Sequence, residues 1–331
     1  MSILKSALQT VFKPILPQLR YARRRWSRPH FAKAQRTLML RRLDPKHPRF
    51  DAFTDYAFST VSRGEEAVAI VRRYRSIDGV RCLDIGTAYG GFPIAFAKAG
   101  AAEAIGMEID PELLKLAKAL LLDVPCNARI LSGSVMDAEF MASLGRFDII
   151  TNNDVIEHVD NPWSYTNIVA GMLCPGGVLY TSLPNSRALN HVISDAHYSI
   201  FGISLLKHPE AERCYDQLFA EPYDVAEFYR LPEYMQMFAA QGLDTDILPV
   251  DAPDVYQLSR GVRELRSMVD IKIPGALDAE SRDRIRAAVL AYVDEFEALY
   301  REWQRSEDPQ QVQQILLNYG MPVWRLLSRN K

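Results

Sequence analysis

Cysteine is scarce in this 331-residue chain, and its four cysteines are Cys82, Cys126, Cys174 and Cys214. None are close in sequence and none have the spacing of a zinc site, so we expect most of them to serve as small core residues. No hydrophobic run is long enough to span a bilayer, and no cleavable signal pattern occurs. These absences favour a reducing compartment, and we expect a cytoplasmic protein.

Acidic residues are almost missing from the N-terminal arm (residues 1–50), which holds 13 Lys or Arg and a single acid, Asp44. Residues 51–331 carry 26 basic and 40 acidic residues, so the rest of the chain is acidic. Apolar residues recur at helical spacing between Ile3 and Leu19, with Pro14 and Pro17 near the end, and five arginines follow.

Two interpretations of this arm stand. In the first, residues 1–28 bind an anionic membrane surface, which would make the protein peripheral on the inner face of the membrane. In the second, they form a helix that packs on this protein or on a second subunit. A homo-oligomer is therefore possible. Nucleic acid is not expected as a partner, because the acidic remainder of the surface would repel phosphate.

From about residue 64, predicted helices alternate with predicted strands. Asp110 followed by Pro111 is typical of a helix N-cap and first turn. Regular alternation predicts an α/β fold, in which a parallel sheet has helices on both faces. The strands of this part are predicted at residues 80–85, 103–108, 128–131, 147–152 and 178–182.

Residues 185–230, called the insertion below, break this rhythm and are rich in His, Tyr, Asp and Pro. Long insertions after a sheet strand tend to be functional lids. Two more strands are predicted at 245–249 and 254–258, and the last seventy residues are predicted to be helical. We therefore expect an arm at 1–50, a main domain at 51–260 and a C-terminal helical extension at 261–331.

The first predicted strand runs into a glycine-rich turn between Asp84 and Gly91. Small residues there let the backbone pass close under a ligand. The glycine spacing is not that of nicotinamide-binding proteins, and a pyrophosphate beside the Asp84 carboxylate would be repelled, whereas an ammonium would be attracted. Glu108, at the end of the next strand, can accept hydrogen bonds from ribose hydroxyls. The pattern predicts a site for a nucleoside that carries a cationic group.

Three later segments fit the same interpretation: Phe147–Pro162 with its Glu157-His158-Val159, Met172–Tyr180 with its Pro175-Gly176-Gly177, and Leu183-Pro184-Asn185. Pro175-Gly176-Gly177 is expected to form a turn that leads into the fifth strand. In this order and spacing the chain resembles class I S-adenosylmethionine-dependent methyltransferases, and among them the O-methyltransferases of ubiquinone biosynthesis. The resemblance covers about residues 65–260. It implies a Rossmann-like fold with a mostly parallel seven-stranded sheet, with the arm and the C-terminal extension outside it.

The resemblance also implies S-adenosylmethionine as cofactor and assigns residues to its parts. The family often has an acid near the adenine amine, and this sequence has Ser134 there. The implied set is Asp84, Gly86, Ala88 and Gly90 around the methionine part, Glu108 at the ribose, Ile109, Ser134 and Val135 at the adenine, and Asn153 and Asp154 near the transferred methyl.

Methyl transfer to a hydroxyl also needs a proton acceptor, and histidine suits that task near neutral pH. We expect His197 in the insertion to be that base, with Asp195 orienting it, or the insertion to be a lid packed by its own polar residues. His158 either orients its loop or reaches the acceptor. Residues 152–157 include acids and asparagines but no convincing ligand triad, so metal-free chemistry is expected.

The sequence favours O-methylation of a small molecule, a glycan or a lipid-linked acceptor. Nitrogen or carbon remains an alternative nucleophile, although the Asn-Pro-Pro-Tyr signature of amide and nucleobase N-methylation is absent. A non-catalytic adaptor that binds the cofactor is a third possibility. The intact set of Asp84, Gly86, Gly90 and Glu108 argues against an adaptor, which would not need such a site.

Overall fold

A computed structural model describes residues 26–42, 45, 50–220 and 222–330. Its strands are β1 Arg81–Ile85, β2 Glu103–Glu108, β3 Ala128–Ser132, β4 Phe147–Asn153, β5 Leu173–Pro184, β6 Leu243–Leu248 and β7 Val323–Asn330. These seven strands of the described chain form one sheet in the order β3-β2-β1-β4-β5-β7-β6. β1 pairs with β2 and β2 with β3 in parallel, whereas β6 and β7 pair antiparallel.

The helices connect and flank these strands. The N-terminal ones are α1 Pro29–Arg42, α2 Phe50–Phe58, α3 Thr60–Val71, α4 Gly91–Lys98, α5 Pro111–Asp123, α6 Ala138–Leu144 and α7 Pro162–Gly171. The later ones are α8 Leu189–Ile193, α9 His208–Asp216, α10 Leu231–Ala240, α11 Val255–Lys272, α12 Ala279–Ser306 and α13 Pro309–Ile315. Short 3₁₀ turns lie at Ile156–His158 and Ile203–Leu205, and a π-helical turn lies at Leu316–Gly320.

The five predicted strands between residues 80 and 182 correspond to β1 to β5, and the expected α/β class is confirmed. Parallel neighbours require a crossover, and α4 and α5 supply the first two. Asp110 caps α5 as predicted, since its side chain accepts the backbone N–H groups of Glu112 and Leu113, with Pro111 in the first turn.

The chain divides into two compact units. The first comprises the described residues up to Thr151 together with Gly171–Tyr180, and the second comprises Asn152–Ala170 and the described residues from Thr181 onward. In the first unit, the apolar side chains of β1, β2 and α4 are buried, which makes the glycine-rich turn part of a rigid core.

Part of the basic arm belongs to this first unit as the helix α1. Phe31 and Leu38 on α1 are buried, and the Asp123 carboxylate at the end of α5 accepts the backbone N–H groups of His30 and Phe31 at 3.1 and 2.7 Å. Arg41 forms an ion pair with Glu112 on α5. Residues 29–42 therefore pack on the protein's own surface.

Both interpretations of the arm concern residues 1–28 and stay predictions. The amphipathic stretch from Ile3 to Leu19, and all but the last three residues of the proposed membrane segment 1–28, lie outside the described residues. Among the helices that are described, none combines the length and the apolar character that crossing a bilayer requires.

In the second unit, the insertion and the C-terminal helices share one hydrophobic core. Its buried members include Phe201 and Cys214 from the insertion, Val262 on α11, and Val289 and Phe296 on α12. Gly202 has φ 73°, and a Cβ atom there would lie 2.7 Å from the Ile285 side chain. The insertion is thus a packed layer on α12 rather than a loose loop.

Three details of the secondary structure differ from the sequence prediction. Residues 254–258 begin α11 instead of forming a strand, because the Asp254 side chain caps the helix by accepting the N–H groups of Tyr256 and Gln257. Residues 323–330 form β7, although the last seventy residues were expected to be helical. The segment Pro175–Gly177 lies within β5, which begins at Leu173, instead of forming a turn before the strand.

Candidate functional site

The glycine-rich turn lies at the carboxyl end of β1 and has an unusual backbone. Gly86, Ala88 and Gly90 all have positive φ, at 67°, 46° and 77°. Glycine adopts this left-handed region freely, but alanine adopts it at a steric cost. The turn is also held by backbone hydrogen bonds, from Thr87 N–H to the Met107 carbonyl at 2.9 Å and from Gly90 N–H to the Thr87 carbonyl at 2.8 Å. The strained conformation at Ala88 is therefore imposed by its surroundings.

Because glycine has no side chain, the turn can approach its neighbours closely. A Cβ at Gly106 on β2 would lie 2.7 Å from Thr87 Oγ1 and 2.8 Å from the Pro93 ring. A Cβ at Gly90 would lie 3.0 Å from the Ala117 Cβ on α5. The turn is thus pressed against β2 and α5, as a cradle for a ligand at this sheet edge requires.

Glu108, the last residue of β2, ties this turn to the next loop. Its Oε2 accepts the N–H of Ala88 at 2.8 Å, and its Oε1 accepts the N–H groups of Ile109 and Asp110, both at 2.9 Å. The side chain is buried. Each carboxylate oxygen has more than one lone pair, so this group can still accept a hydrogen bond from a ligand hydroxyl while it holds the loops. This geometry fits the ribose contact that the sequence predicts.

Asp84 in β1 is almost fully buried and accepts a hydrogen bond from Thr151 Oγ1 at 2.5 Å. Burial, opposed by that hydrogen bond and reinforced by the charge of Glu108, raises the pKa of the Asp84 carboxyl to about 7. Few charged groups near this carboxyl offset its burial, and a cationic ligand would favour its ionised form. The Asp84 carboxylate is therefore suited to bind the positively charged amine of an amino acid.

The three residues predicted at the adenine differ in exposure. Ile109 directly follows Glu108, and its side chain is 70 % exposed. Val135 is buried, and Ser134 uses its Oγ to accept the N–H of Met136 at 3.2 Å. Ile109 is thus available to a ligand, whereas Ser134 and Val135 shape their own turn.

Asn153 and Asp154 belong to the second compact unit. Asn153 ends β4, and Asp154 follows with φ 53°, a strained value for a residue with a side chain. The Asp154 N–H donates to the Ser182 carbonyl on β5 at 2.9 Å, which holds this conformation. Strain maintained at a strand end is typical of functional turns, and the role near the methyl group stays a prediction.

Asp195 and His197 lie close together in the insertion, where the aspartate carboxylate accepts backbone N–H groups. Asp195 Oδ1 accepts the backbone N–H groups of His197 and Tyr198 at 2.9 Å, and its Oδ2 accepts that of Ile200 at 2.6 Å. Asp195 therefore shapes the loop that carries His197. The His197 ring is half-buried, and its Nε2 lies 3.8 Å from Oε1 of Glu157.

His158 lies beside His197, with ring centroids 5.0 Å apart in an edge-on arrangement. Its Nδ1 is 2.7 Å from the backbone carbonyl oxygen of Asp224. The two histidines that the sequence singled out separately, 39 positions apart, are thus brought together.

Glu157 is the residue of this group to which the sequence analysis gave no role. Its side chain is 0 % exposed, and no other residue of the described chain donates a hydrogen bond to either carboxylate oxygen. Burial, followed by the negative charge of Asp154, raises the pKa of Glu157 well above its usual value. A sequence signal existed, since Glu157 precedes His158 in the motif, but its neighbours His197 and Ala226 belong to the distant insertion.

The structure therefore assembles two clusters, one in each compact unit. The first unit brings together Asp84, the turn at Gly86–Gly90 and Glu108. The second unit brings together Glu157, His158 and His197. The first has the features of a nucleoside site, and the second has the titratable groups expected of proton transfer or ligation.

Comparison with known proteins identifies the family to which the chain belongs. A family model described as a methyltransferase domain matches residues 33–246, which is more than half of the chain. The ubiquinone biosynthesis O-methyltransferase of Xanthomonas campestris pv. campestris is 33% identical over 112 residues, which cover 33% of this chain and 45% of that protein. The enzyme of the same name from Thiobacillus denitrificans is 27% identical over 173 residues, covering 51% and 67%.

The chain thus spans less than half of the length of the Xanthomonas relative that it matches. An S-adenosylmethionine-dependent methyltransferase from Mesorhizobium loti has a similar structure, with a TM-score of 0.45 and 12% identity over 80% of this chain and 97% of that chain. A likeness at that level adds nothing to the functional assignment. The family match, in contrast, includes β1 to β5 and the first cluster, and the chain belongs to the methyltransferase-domain family.

Proposed function

We propose that this protein is an S-adenosylmethionine-dependent O-methyltransferase. The observation that carries the proposal is the Glu108 carboxylate, which joins the Ala88 N–H of the glycine-rich turn to the N–H groups of Ile109 and Asp110. A buried acid at the end of the second strand, fixed by backbone donors, is suited to ribose hydroxyls. The family match supports the same reaction class.

The residues of the first unit fit the three parts of this cofactor. Asp84 would hold the amine of the methionine part, the turn at Gly86–Gly90 would pass under its chain, and the exposed Ile109 would flank the adenine. When bound, S-adenosylmethionine supplies an electrophilic methyl group on a sulfonium. The protein's contribution is to hold donor and acceptor in line, which by itself is worth several kcal/mol.

Oxygen is proposed as the nucleophile because relatives at modest identity are named O-methyltransferases. The acceptor class is proposed to be a phenol or a sugar hydroxyl, on a small molecule, a glycan or a lipid-linked intermediate. His197 was predicted as the base for its proton. That role stays a prediction, since the ring's Nε2 is directed towards the buried Glu157.

Calorimetry with S-adenosylhomocysteine tests the cofactor assignment, and transfer of a radiolabelled methyl group to phenolic and sugar acceptors tests the reaction. We expect micromolar cofactor binding and label in an O-methyl product. Folded protein without affinity for either S-adenosylmethionine or S-adenosylhomocysteine would overturn the proposal. Binding without transfer to any acceptor of the panel or of a cell extract would favour the adaptor alternative, and label on nitrogen or carbon would change the nucleophile.

Contact of residues 1–28 with an anionic membrane surface is a further part of the proposal. Its support is the sequence alone, in which apolar residues at helical spacing precede a run of arginines. Co-sedimentation with vesicles that contain phosphatidylserine should decrease when residues 1–28 are deleted and when salt is raised. Equal sedimentation of the full chain and the truncated chain would remove this part.

A further inference from the structure

We propose that Glu157, His158 and His197 form a binding site for a divalent transition-metal ion such as Zn²⁺. One carboxylate oxygen and one nitrogen from each imidazole lie within 4.8 Å of one another. His197 Nε2 and Glu157 Oε1 are 3.8 Å apart. Ligand atoms about 2.0–2.2 Å from a tetrahedral Zn²⁺ are separated by roughly 3.3 Å, so a small inward movement would complete the geometry.

The first argument is the environment of Glu157. A fully buried carboxyl group to which no other described residue donates a hydrogen bond is costly to ionise unless a cation is present. The carboxylates of Asp154 and Asp224 add negative potential at Glu157. The charges around this group thus favour a cation between Glu157 and the two imidazoles.

The second argument is the tautomer of His158. A backbone carbonyl oxygen accepts hydrogen bonds but cannot donate them, so Nδ1 of His158, 2.7 Å from the Asp224 carbonyl, must carry the hydrogen. The lone pair of the neutral ring is then on Nε2. A ring N–H bound to a backbone carbonyl is the usual support of a metal-ligating histidine.

The third argument is that the backbone around the three ligands is held in place. The Glu157 carbonyl accepts the N–H of Ala226 at 2.8 Å, which fixes the 3₁₀ turn that carries both Glu157 and His158. Asp195 accepts the N–H of His197 at 2.9 Å. Ligands held in this way lose little conformational freedom when an ion binds.

The ligand chemistry indicates which ions fit. Two imidazoles and one carboxylate suit Zn²⁺, Fe²⁺, Co²⁺ or Mn²⁺, whereas Mg²⁺ and Ca²⁺ prefer oxygen ligands alone. Three protein ligands also leave at least one position for water or a substrate oxygen. If the proposed methyl transfer holds, on which this last step rests, an acceptor hydroxyl bound there would lose its proton more easily, and His197 would act as a ligand instead of a base.

Chelator-treated protein titrated with Zn²⁺ in a calorimeter, and with Co²⁺ in a visible absorption cell, tests the site. We expect one Zn²⁺ per chain, ligand-field bands with Co²⁺ and no comparable heat with Mg²⁺. Glu157→Gln, His158→Gln and His197→Gln should each weaken Zn²⁺ binding at least tenfold. His208→Gln is the matched control, because His208 is a half-buried histidine of the same insertion whose Nδ1 also faces a backbone carbonyl, that of Val225 at 2.9 Å.

Absence of stoichiometric Zn²⁺ binding, or equal affinity in the three ligand variants and the His208 control, would overturn the proposal. If Glu157→Gln does not fold, the two histidine variants still decide the matter, because both rings are partly exposed. The titrations contain neither cofactor nor acceptor. A failure of metal binding is therefore distinguishable from a failure of the methyltransferase assignment, which calorimetry with S-adenosylhomocysteine measures separately.

Discussion

Oε2 of Glu108 accepts the backbone N–H of Ala88 at 2.8 Å, which joins the end of β2 to a turn whose alanine has φ 46°. The charge-assisted hydrogen bond from the turn to the carboxylate offsets the energetic cost of the strained backbone. The same bond holds the carboxylate in place. One side chain thus has a structural role and, in the proposed function, a ligand-binding role as well. A change at Glu108 should therefore affect both stability and cofactor affinity.

Glu108→Ala should lower the affinity for S-adenosylhomocysteine by about 10- to 100-fold, since hydrogen bonds to a charged group contribute about 1.5–3 kcal/mol. Isothermal calorimetry measures the change, with circular dichroism to establish folding. Glu112→Ala on the first turn of α5 is the control, because Glu112 is paired at the surface with Arg41 and Lys115. Equal affinity in the two variants would contradict the ribose assignment.

The buried Asp84 should make stability depend on pH. Its folded-state pKa of about 7 lies above the ordinary value of 3.8, so between these values the folded protein binds a proton that the unfolded chain does not. Stability should therefore fall as pH rises from 4 to 7, by up to about 1.4 kcal/mol per unit. Urea unfolding at several pH values measures the free energy of unfolding of the wild type and of Asp84→Asn. The difference between the two proteins should change with pH by this slope, and a difference that is constant with pH would contradict the prediction.

Cofactor binding should respond to the same group. If the amine of the ligand lies at Asp84, binding favours the ionised carboxylate and releases its proton below pH 7. Affinity for S-adenosylhomocysteine should then rise between pH 6 and 8. Calorimetry at pH 6.5 in two buffers of different ionisation enthalpy counts the released proton, because the measured binding enthalpy then differs between the buffers. Asp84→Asn should abolish this difference. If the wild type shows no difference either, the ligand amine does not contact Asp84.

Gly91, next to the glycine-rich turn, packs closely against α3. A Cβ at this first residue of α4 would lie 2.3 Å from the carbonyl carbon and Oγ1 of Thr60 on α3. Gly91→Ala should therefore cost about 1–3 kcal/mol of unfolding free energy through overpacking. Gly171→Ala is the control, since no heavy atom lies within 4 Å of its added Cβ. Equal melting temperatures for the two variants would show that α3 yields easily.

The first cluster could be predicted from the sequence because it depends on local order. Asp84, the glycines of the turn and Glu108 all lie at the ends of two neighbouring parallel strands, and such ends meet at one edge of a sheet. The helix cap at Asp110 was equally local. Strands β1 to β5 have hydrophobic patterns strong enough to stand out without knowledge of their neighbours.

The errors concern residues whose structure depends on distant partners. β7 is a strand because it pairs with β6 some eighty positions earlier, with Leu326 opposite Ile247, and its apolar spacing alone does not distinguish it from a helix. In the sequence Glu157 is one acid among several, whereas in the structure it is buried and lies beside His197 of the insertion. Long-range burial of this kind has no signature in a single sequence.

Asn185, which directly follows β5, binds the backbone that precedes β7. Its side chain is fully buried, and its Nδ2 donates to the carbonyls of Leu317, Asn318 and Met321 at 3.1, 3.2 and 2.8 Å. These carbonyls belong to the π-helical turn and the residue after it, just before β7. One amide thus satisfies the acceptors of the turn that starts the last strand of the second unit.

Asn185→Ala should lower the unfolding free energy by about 2–3 kcal/mol, because it removes a buried donor from three partly buried carbonyls. Urea unfolding measures the loss. Asn190→Ala is the matched control, since Asn190 is an exposed asparagine on α8 of the same unit and its replacement should change stability by less than about 0.5 kcal/mol. Hydrogen exchange should also accelerate at Leu326 and Leu327 in β7 in the Asn185 variant alone, because their strand would lose its anchored start. A loss confined to global stability, with unchanged relative protection in β7, would show that Asn185 does not serve this turn in particular.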